Sequence, residues 1–379
     1  MYEAERALFD LRRGRPLLVT EARGSGKEQD LVLAAVESLD QPGLQRLRAL
    51  GSGNPRLVVS AERARALTMQ SDTSDLGAAA SIALNGESVE QIFQMAGSRA
   101  PSVVAGDRLR GATKGEAAAM SLARLGRMLP AVVCVDADPA GAPQLSEALQ
   151  TGAILRVSAG QVTELVGSQE SEFAVQLVSS APVPLGEDEN ARFMLFREAN
   201  GLLEHVAILI GDRDEWPDPV PARLHSACLT GDLFGSLRCD CGEQLRGSLR
   251  VFEASGGGVL LYLAQEGRGI GLGNKLRAYS LQQQGLDTVD ADAVLGFEAD
   301  ERRYAAAVGI LKHLEIDRVR LLTNNPEKVR ALQESGIQVV DRQPLHGTLN
   351  RHNLPYVRAK VQRAGHWLGD MLREAANAK

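Results

Sequence analysis

The spacing of the cysteines is the feature that most restricts how this 379-residue chain folds. Three of its four cysteines, Cys228, Cys239 and Cys241, follow a C-x10-C-x-C pattern, and Cys134 is isolated. Packing preference alone does not cluster three cysteines in a sequence that has so few. Three thiolates match the number of protein ligands in an open zinc site, where water takes the fourth position. The pattern therefore predicts one zinc ion per subunit on these cysteines.

Other interpretations of the cysteines stay open. A closed structural site needs a fourth protein ligand, and His225 is close enough to Cys228 in sequence to supply it, or to contact a substrate instead. Three reduced, buried thiols without a metal also agree with the pattern, since cysteine is often buried without a function. Disulfides are not expected, because a C-x-C loop is strained and the N-terminus shows no export signal.

Length and charge limit the class of protein. The length predicts two domains, and the apolar content of 44% is ordinary for a globular chain. The formal charge of −6 argues against general nucleic-acid binding, which usually needs a basic surface. No apolar run reaches the length of a membrane span. We therefore expect a cytoplasmic protein that binds neither nucleic acid nor membrane.

Residues 1–170 alternate between strand and helix signals, which predicts an α/β or α+β domain. Strands are predicted at 16–19, 30–36 and 130–135, and a helix at 115–125. Gly24-Ser-Gly-Lys27 imitates a phosphate loop, but Glu28 replaces the magnesium-binding hydroxyl, so we reject it. Polar residues, prolines and glycines between residues 166 and 190 indicate a domain junction.

Residues 171–379 predict the second domain. Strands are predicted at 205–210, 259–263, 319–323 and 337–340. One helix begins near Gly242, and another begins at Pro326 and ends near Gly336. This succession of strand, helix and strand predicts at least one parallel strand pair. The predicted fold class is therefore a mixture of α+β and α/β, in two domains.

Two segments of the second domain have features of an anion site. Gln265-Glu-Gly-Arg-Gly-Ile-Gly271 is glycine-rich, with positive charge from Arg268 and Lys275, and such loops bind phosphate through backbone N–H groups and arginine. Thr323-Asn-Asn-Pro-Glu-Lys328 combines a hydroxyl, a helix N-terminus and a lysine. Alone, the first segment is equally compatible with an ordinary glycine turn, and the second with an ordinary helix cap. Asp300-Glu-Arg302, taken alone, is compatible with a solvated capping turn.

Together these segments resemble the GTP cyclohydrolase II family, from roughly Phe173 to the C-terminus. The resemblance is carried, in the family's order, by Arg223-Leu-His-Ser-Ala-Cys228-Leu-Thr-Gly-Asp232, Arg238-Cys-Asp-Cys-Gly242, Gln265-Glu-Gly-Arg268, Asn274-Lys-Leu-Arg-Ala-Tyr279, Leu295-Gly-Phe-Glu-Ala-Asp-Glu-Arg302 and Leu322-Thr-Asn-Asn-Pro326. It implies a mixed sheet with flanking helices and a homodimer. It also implies zinc-dependent hydrolysis of GTP in riboflavin biosynthesis, with release of formate and pyrophosphate.

The resemblance assigns roles to residues of this sequence, with Cys228, Cys239 and Cys241 as the zinc ligands. The implied nucleotide-binding residues are Arg223, Leu224, His225, Ser226, Gln244, Glu266, Gly267, Arg268, Thr288, Thr323 and Lys328. Mg²⁺ is expected on the triphosphate. Asp300 is the implied proton acceptor, and Tyr279 is implied in the release of formate. Arg302 is the implied nucleophile towards the α-phosphate, with a phosphate clamp as the open alternative.

One departure from the family bears on the substrate. Ala227 stands where the family usually has a glutamate beside the first zinc cysteine. A related enzyme that opens another base, such as uracil in UTP, therefore stays an alternative. A relative that stops at a formylated product is a second alternative, against which Tyr279 counts. A non-catalytic zinc protein that senses nucleotides is a third, against which Asp300, Arg302 and Tyr279 count.

The first domain is similar to 3,4-dihydroxy-2-butanone 4-phosphate synthase. The similarity runs through Gly14–Val19, Asp30–Ala35, Gly111–Ala118 and Cys134. That family's acidic metal loop has lost most of its carboxylates at residues 23–29, and its catalytic histidine is absent, since no histidine precedes His205. Magnesium needs hard oxygen ligands, and proton abstraction needs a base. We therefore predict that residues 1–170 are non-catalytic and serve in packing or dimerisation.

Overall fold

The chain forms two compact units in the computed structural model, which describes residues 2–22, 28–68, 76–99, 104–171, 174–369 and 372–373. The first unit comprises Met1–Glu170 and Gly273–Asp300, and the second comprises Ser171–Leu272 and Glu301–Lys379. The first stretch of the first unit ends at Glu170. Residues 273–300, which the sequence assigned to the second domain, nevertheless group with the first unit.

The first unit is built on a seven-stranded sheet. Its strands are β1 (Leu17–Ala22), β2 (Glu28–Ala35), β3 (Ser52–Ser60), β4 (Ala79–Ala83), β5 (Leu109–Gly111), β6 (Ala131–Ala137) and β7 (Leu155–Ser158). The spatial order is β5-β4-β3-β6-β2-β1-β7. Neighbouring strands are antiparallel, except that β1 and β7 are parallel.

Helices cover the first sheet. Those of the chain up to residue 171 are α1 (Tyr2–Arg12), α2 (Gln41–Leu50), α3 (Ala61–Thr68), α4 (Val89–Gly97), α5 (Lys114–Leu125), α6 (Pro143–Gln150) and α7 (Ala159–Ser171). The predicted helix at 115–125 is α5, which begins with a capping box in which Thr113 and Glu116 satisfy each other's backbone N–H groups. Alternating apolar residues of β2, β3, β4 and β6 form the core on one face of the sheet.

The second unit contains another seven-stranded sheet. Its strands are β8 (Val175–Pro182), β9 (Arg192–Glu198), β10 (Glu204–Ile210), β11 (Val220–Ser226), β12 (Gly258–Leu263), β13 (Arg318–Leu322) and β14 (Gln338–Gln343). The spatial order is β14-β13-β11-β12-β10-β9-β8, with parallel pairs from β14 to β12 and antiparallel pairs from β12 to β8. The predicted fold class, a mixture with two domains and a mixed sheet, is confirmed.

The remaining helices follow the first half of the chain. They are α8 (Leu229–Asp232), α9 (Cys241–Ala254), α10 (Leu272–Gln283), α11 (Thr288–Val294), α12 (Ala305–His313), α13 (Pro326–Glu334) and α14 (Leu354–Ala364). Pro326 is the first residue of α13, and Gly336 takes a left-handed φ of 86° just beyond its C-cap, as the sequence predicted. None of the helices in the described part of the chain has the length and apolar character that a membrane crossing requires.

Apolar residues cover both faces of the second sheet. Phe252 of α9 packs with Ile208, Ile210 and Leu260 on one face. On the other face, α12 and α13 pack against the strands in a larger core. Because β11, β12 and β13 are parallel, their carboxyl ends lie at one edge of the sheet. The chain leaves this edge three times in polar turns, at residues 227, 264 and 323.

Candidate functional site

The three clustered cysteines converge at the end of β11. Their Sγ atoms all lie within 4.8 Å of one another, and those of Cys228 and Cys239 are 3.7 Å apart. Cys228 follows β11, α8 turns the chain back, and Cys241 is the first residue of α9. No other group of potential metal ligands satisfies this distance condition within the described ranges. The three thiols are therefore arranged to hold a metal ion.

Two glycines permit this convergence. A Cβ atom on Gly231 would lie 2.6 Å from Cys239 Sγ and 3.0 Å from Cys228 Sγ. A Cβ atom on Gly242 would lie 2.3 Å from the Gly231 carbonyl oxygen. Most of these distances are shorter than side chains tolerate, so the loop closes around the thiols only because both residues lack a Cβ atom.

The donor set fits zinc. The hydrogen bond with Cys228 raises the pKa of Cys239 to about 11, and hydrogen bonds with the other two cysteines, together with burial, raise the pKa of Cys241. Without a cation these groups are therefore neutral thiols, and a bound metal would displace their protons. Sulfur ligands select soft or borderline metals such as zinc, and three ligands leave one coordination position open.

Asp232 is the centre of a hydrogen-bonded group beside Cys228. Its carboxylate accepts hydrogen bonds from Tyr262 Oη (3.0 Å), the Cys228 N–H (2.9 Å) and His225 Nε2 (3.0 Å). Burial lowers the pKa of His225, so the neutral ring donates from Nε2 and leaves Nδ1 as an acceptor. His225 does not join the cysteine cluster, so it is not its fourth ligand. Sequence reasoning missed Asp232 and Tyr262; the only signal was an acid one helical turn after Cys228.

A chain of buried polar side chains braces the cysteine loop. Arg223 of β11 donates to the Leu322 carbonyl at 2.8 Å and to Gln244 Oε1 at 2.7 Å. Gln244 donates to Asp240, which also accepts from Lys360 Nζ of α14 at 3.2 Å. Burial opposes the charge of Asp240, but Lys360 holds the pKa of its carboxyl below the usual range. Arg223 and Gln244, which are both predicted to bind nucleotide, are thus hydrogen-bonded within the protein. Their hydrogen bonds connect β11 to Asp240, which lies between Cys239 and Cys241 in the sequence.

The glycine-rich turn after β12 is attached to the same loop. Glu266 Oε2 accepts the N–H of Leu229 at 2.7 Å. Gly267 and Arg268 have φ values of 63° and 59°. A left-handed backbone is uncommon for residues other than glycine, so the fold holds Arg268 against its local preference. The Arg268 carbonyl accepts the Glu301 N–H at 3.0 Å, which closes the turn.

The turn after β13 places a cation and a helix N-terminus at this sheet edge. Lys328 is buried, and its Nζ donates to the Leu224 carbonyl at 2.7 Å. Thr323 Oγ1 accepts the Asn325 N–H at 3.0 Å, and Asn325 caps α13. The hydroxyl of Ser226, at the end of β11, is buried and has no hydrogen-bond partner among the described residues. The fold therefore brings the predicted residues of β11 and of the two polar turns to one edge of the second unit.

The other predicted site residues lie between 279 and 302. Tyr279 is half-buried on α10, and Lys275 Nζ lies 5.6 Å from the centre of its ring. Thr288 is the first residue of α11, and Asp300 is exposed after that helix. These three belong to the first unit, whereas Arg302, half-buried, belongs to the second.

The first unit has a charged cluster of its own. Glu116 is buried and accepts hydrogen bonds from Arg56 Nε at 2.9 Å and Arg110 at 2.7 Å, and Arg56 also binds Asp136 through both oxygens. Burial raises the pKa of Cys134 to about 12, so the isolated cysteine is a neutral thiol. The rejected phosphate loop and most of the degenerate acidic loop, at residues 23–27, lie outside the described residues.

The matching family model and the related sequences agree on one family. The model of the family "GTP cyclohydrolase II" matches residues 176–344. A GTP cyclohydrolase-2 of Azospirillum brasilense is 39% identical over 97% of this chain and 94% of its own length. One from Xylella fastidiosa (strain 9a5c) is 40% identical over 96% of this chain and 86% of its own length. One from Azotobacter vinelandii is 52% identical over 51% of this chain and 91% of its own length.

Solved structures were also matched. A two-domain 3,4-dihydroxy-2-butanone 4-phosphate synthase from A. baumannii aligns with 91% of this chain and 99% of its own, at 14% identity and a TM-score of 0.34. A 3,4-dihydroxy-2-butanone 4-phosphate synthase of Candida albicans aligns with 43% of this chain and 96% of its own, at 18% identity and a TM-score of 0.32. Because both TM-scores are below 0.5, neither likeness supports a conclusion about this chain.

Proposed function

The chain belongs to the GTP cyclohydrolase II family, and we therefore propose that it hydrolyses GTP to 2,5-diamino-6-(5-phosphoribosylamino)pyrimidin-4(3H)-one, formate and pyrophosphate. This reaction is the first committed step of riboflavin biosynthesis. The observation that carries the proposal is the convergence of Cys228, Cys239 and Cys241 at the carboxyl ends of parallel strands. Ligand sites of α/β sheets lie at this edge, and here the polar turns after β12 and β13 share it.

We assign zinc to the three cysteines. Three sulfur donors leave a coordination position for water, as in catalytic zinc sites. When bound, zinc would supply a Lewis acid that makes water nucleophilic towards C8 of guanine at neutral pH. Asp232 anchors the N–H of the first cysteine, and Asp240 is braced between the second and third. Such outer partners orient metal ligands.

We assign the triphosphate to the polar turns at the same edge. Arg268 and Lys328 supply positive charge, and Thr323 and the N-terminus of α13 supply hydrogen-bond donors. Mg²⁺ would neutralise the remaining charge of the phosphates. Leu224, Ser226 and Gly267 lie within these turns or the end of β11, which supports a role in lining the nucleotide site.

Three further residues are assigned to the chemistry. Asp300 accepts a proton, and Tyr279 assists the second hydrolysis, which releases formate. Arg302 contacts the α-phosphate. Arginine is normally protonated, so a nucleophilic Arg302 requires Asp300 as its base, whereas a phosphate clamp does not. An Asp300→Asn variant that still releases pyrophosphate would favour the clamp.

We further propose that the first unit has no synthase activity and that the protein is a homodimer. Glu116 is occupied by two arginines, and no histidine precedes His205, which leaves no evident base for proton abstraction. Incubation with ribulose 5-phosphate, with dihydroxybutanone phosphate as the measured product, tests the first point. Light scattering of the full chain after gel filtration tests the second.

The main experiment measures products and metal together. The purified chain is incubated with GTP, Zn²⁺ and Mg²⁺, and formate and pyrophosphate are quantified beside zinc per chain. Cys239→Ser is expected to lose zinc and ring opening. Cys134→Ser is the matched control, because it makes the same change at a buried cysteine outside the cluster, beside Glu116 at 3.8 Å. It is expected to retain both.

The outcomes separate the alternatives. Turnover of UTP but not GTP would support a changed base preference, for which Ala227 is the reason. A formylated pyrimidine without formate would indicate a reaction that stops early. A zinc-loaded protein that turns over neither nucleotide would be a binding protein. A zinc-free active protein, or ring opening by Cys239→Ser, would refute the assignment of the metal.

A further inference from the structure

Residues 273–300 carry three residues assigned to the reaction but fold with the first unit. Tyr279 lies on α10, Thr288 begins α11 and Asp300 follows α11. The sequence places this segment in the cyclohydrolase domain, yet it is part of the compact unit formed by residues 1–170. Whatever holds the segment in place therefore holds three of the residues that are proposed to take part in the reaction.

The apolar side of the segment is buried in the first unit. Leu295 is 0% exposed, its Cδ2 lies 3.5 Å from where a Cβ atom on Gly97 would be, and α11 packs on α3. A Cβ atom on Gly296 would lie 2.9 Å from Oγ of Ser60, the last residue of β3, and Gly296 has a φ of 86°. A side chain is therefore excluded by both the contact and the backbone conformation. The backbone after α11 thus fits closely against the first unit.

A buried amide joins α10 to the turn after α5. Asn274 is 0% exposed, and its Nδ2 donates to the Arg127 carbonyl at 2.9 Å while its Oδ1 accepts from Arg277 at 2.8 Å. Arg127 has a φ of 58°, which is uncommon for a residue other than glycine. Such a conformation persists only where the surroundings enforce it, so this carbonyl is held in place for the amide.

Two ion pairs connect the segment to the first unit near its two ends. Arg277 Nη1 of α10 lies 3.2 Å from Glu37 Oε2, an oxygen that also accepts the Leu129 N–H at 2.9 Å. Arg124 Nη2 of α5 lies 2.8 Å from Glu298 Oε1, just after α11. Apolar packing, a buried amide and two ion pairs thus attach the same 28 residues, 273–300.

We infer that the first unit is the scaffold that positions Tyr279, Thr288 and Asp300 for GTP hydrolysis. Glu37 and Arg124 are positioning residues, because they act on the reaction only through the segment they hold. The inference rests on the proposed function and extends it. It gives the unit a role in the cyclohydrolase reaction although it lacks the groups for a reaction of its own.

The test is a full-length Glu37→Gln/Arg124→Met variant. Amide hydrogen exchange over residues 273–300 is expected to be faster than in the wild type, because local opening becomes easier. The kcat for GTP is expected to fall about 3- to 10-fold, the size expected for two partly exposed ion pairs. Formate released per pyrophosphate is expected to fall below one, because Tyr279 is no longer held in place.

Two further variants serve as controls. Glu87→Gln/Arg108→Met removes another ion pair of the first unit, whose two side chains also bond to the Asn85 N–H and the Ala83 carbonyl. It is expected to leave kcat, product ratio and local exchange unchanged. Glu37→Asp/Arg124→Lys keeps both charges and is expected to recover most of the activity, which a general loss of packing would not explain.

The outcomes are decisive in both directions. Either wild-type kcat or wild-type exchange at residues 273–300 in the double variant would overturn the inference. Should the double variant not fold, Glu37→Gln and Arg124→Met are measured singly by the same criteria. Absence of formate from the wild-type protein would reject the proposed function, whereas the exchange data would still decide whether the first unit holds the segment.

Discussion

Gly231→Ala is the most direct test of the cysteine geometry. The change adds one methyl group where three thiols meet, at 2.6 Å from Cys239 Sγ, 3.0 Å from Cys228 Sγ and 3.1 Å from Cys241 Cβ. Ordinary van der Waals contact begins at 3.4 Å. All three positions are therefore too close, and the contact with Cys239 is the worst. We expect Cys239 to leave its rotamer, because the backbone at Gly231 is held by α8.

The magnitude follows from the geometry. Inserting a methyl group into a well-packed site costs about 1–3 kcal/mol. If all of it falls on the metal-bound state, zinc affinity drops by about 5- to 150-fold. Rotation of Cys239 also removes one of three ligands, so we expect the upper part of this range. Without metal, the free energy of unfolding should change less, since the thiols can then separate.

The assay is a competition between protein and a chromogenic chelator, with zinc per chain measured by mass spectrometry. Gly167→Ala is the matched control. Gly167 lies in α7 with nothing within 4 Å of a Cβ atom. There the same substitution is expected to stabilise the protein by about 0.5–1 kcal/mol, because alanine favours helices more than glycine does. Gly231→Ala is thus expected to be unfavourable and Gly167→Ala favourable. This difference separates a local clash at the cysteines from a general effect of replacing glycine by alanine.

A Gly231→Ala protein with wild-type zinc affinity would refute the reasoning. It would mean that the thiols do not converge in solution as they do in the structure, or that they do not bind the metal. Reduced affinity in Gly167→Ala as well would show that the assay reports overall stability and not the site.

Three other predictions follow from the hydrogen bonds and ion pairs of single carboxylates. Burial opposes ionisation of Asp136, but Arg56 holds its pKa below the usual range. The folded state therefore loses this stability as the pH falls through the depressed pKa, and Arg56→Met should flatten the acid limb of a circular-dichroism unfolding profile. Tyr262→Phe keeps the ring but removes the 3.0 Å hydrogen bond to Asp232, which should cost about 1.5–3 kcal/mol in urea unfolding. Lys360→Met leaves the buried carboxylate of Asp240, between Cys239 and Cys241, without its cation, and a chelator should then extract added zinc about 10- to 100-fold faster; an unchanged rate would contradict the bracing role.

Local sequence signals were sufficient for most elements of the fold that the sequence analysis named. The helix predicted at 115–125 is α5, since its capping box and helix formers lie within the segment itself. The strand predicted at 259–263 is β12, and the predicted parallel pairing is present because the connecting segments are helical. The clustering of the three cysteines could also be predicted, because they lie within one loop and converge when that loop closes.

Other features depend on partners far apart in the chain. The role of Asp232 as a hydrogen-bond acceptor is apparent only in the folded chain, where β12 brings Tyr262, 30 residues away, into contact with it. Lys360 lies 120 residues from Asp240 and has no local feature that distinguishes it from a solvated lysine. Patterns of period 2 or 3.6 report which face of an element is apolar, but they do not report what that face meets.

The order of the residues by itself determined the fold class, the cysteine cluster and the family, because caps, periodicity and cysteine spacing are properties of short segments. Only the tertiary structure decided which body each segment joins. Residues 273–300 carry the family's motif for one domain, yet they pack with the other, since Leu295 is buried beside Gly97 and Asn274 is hydrogen-bonded to the Arg127 carbonyl there. The contacts between segments that are distant in the sequence determine that residues 273–300 join the first unit, and no local pattern encodes those contacts.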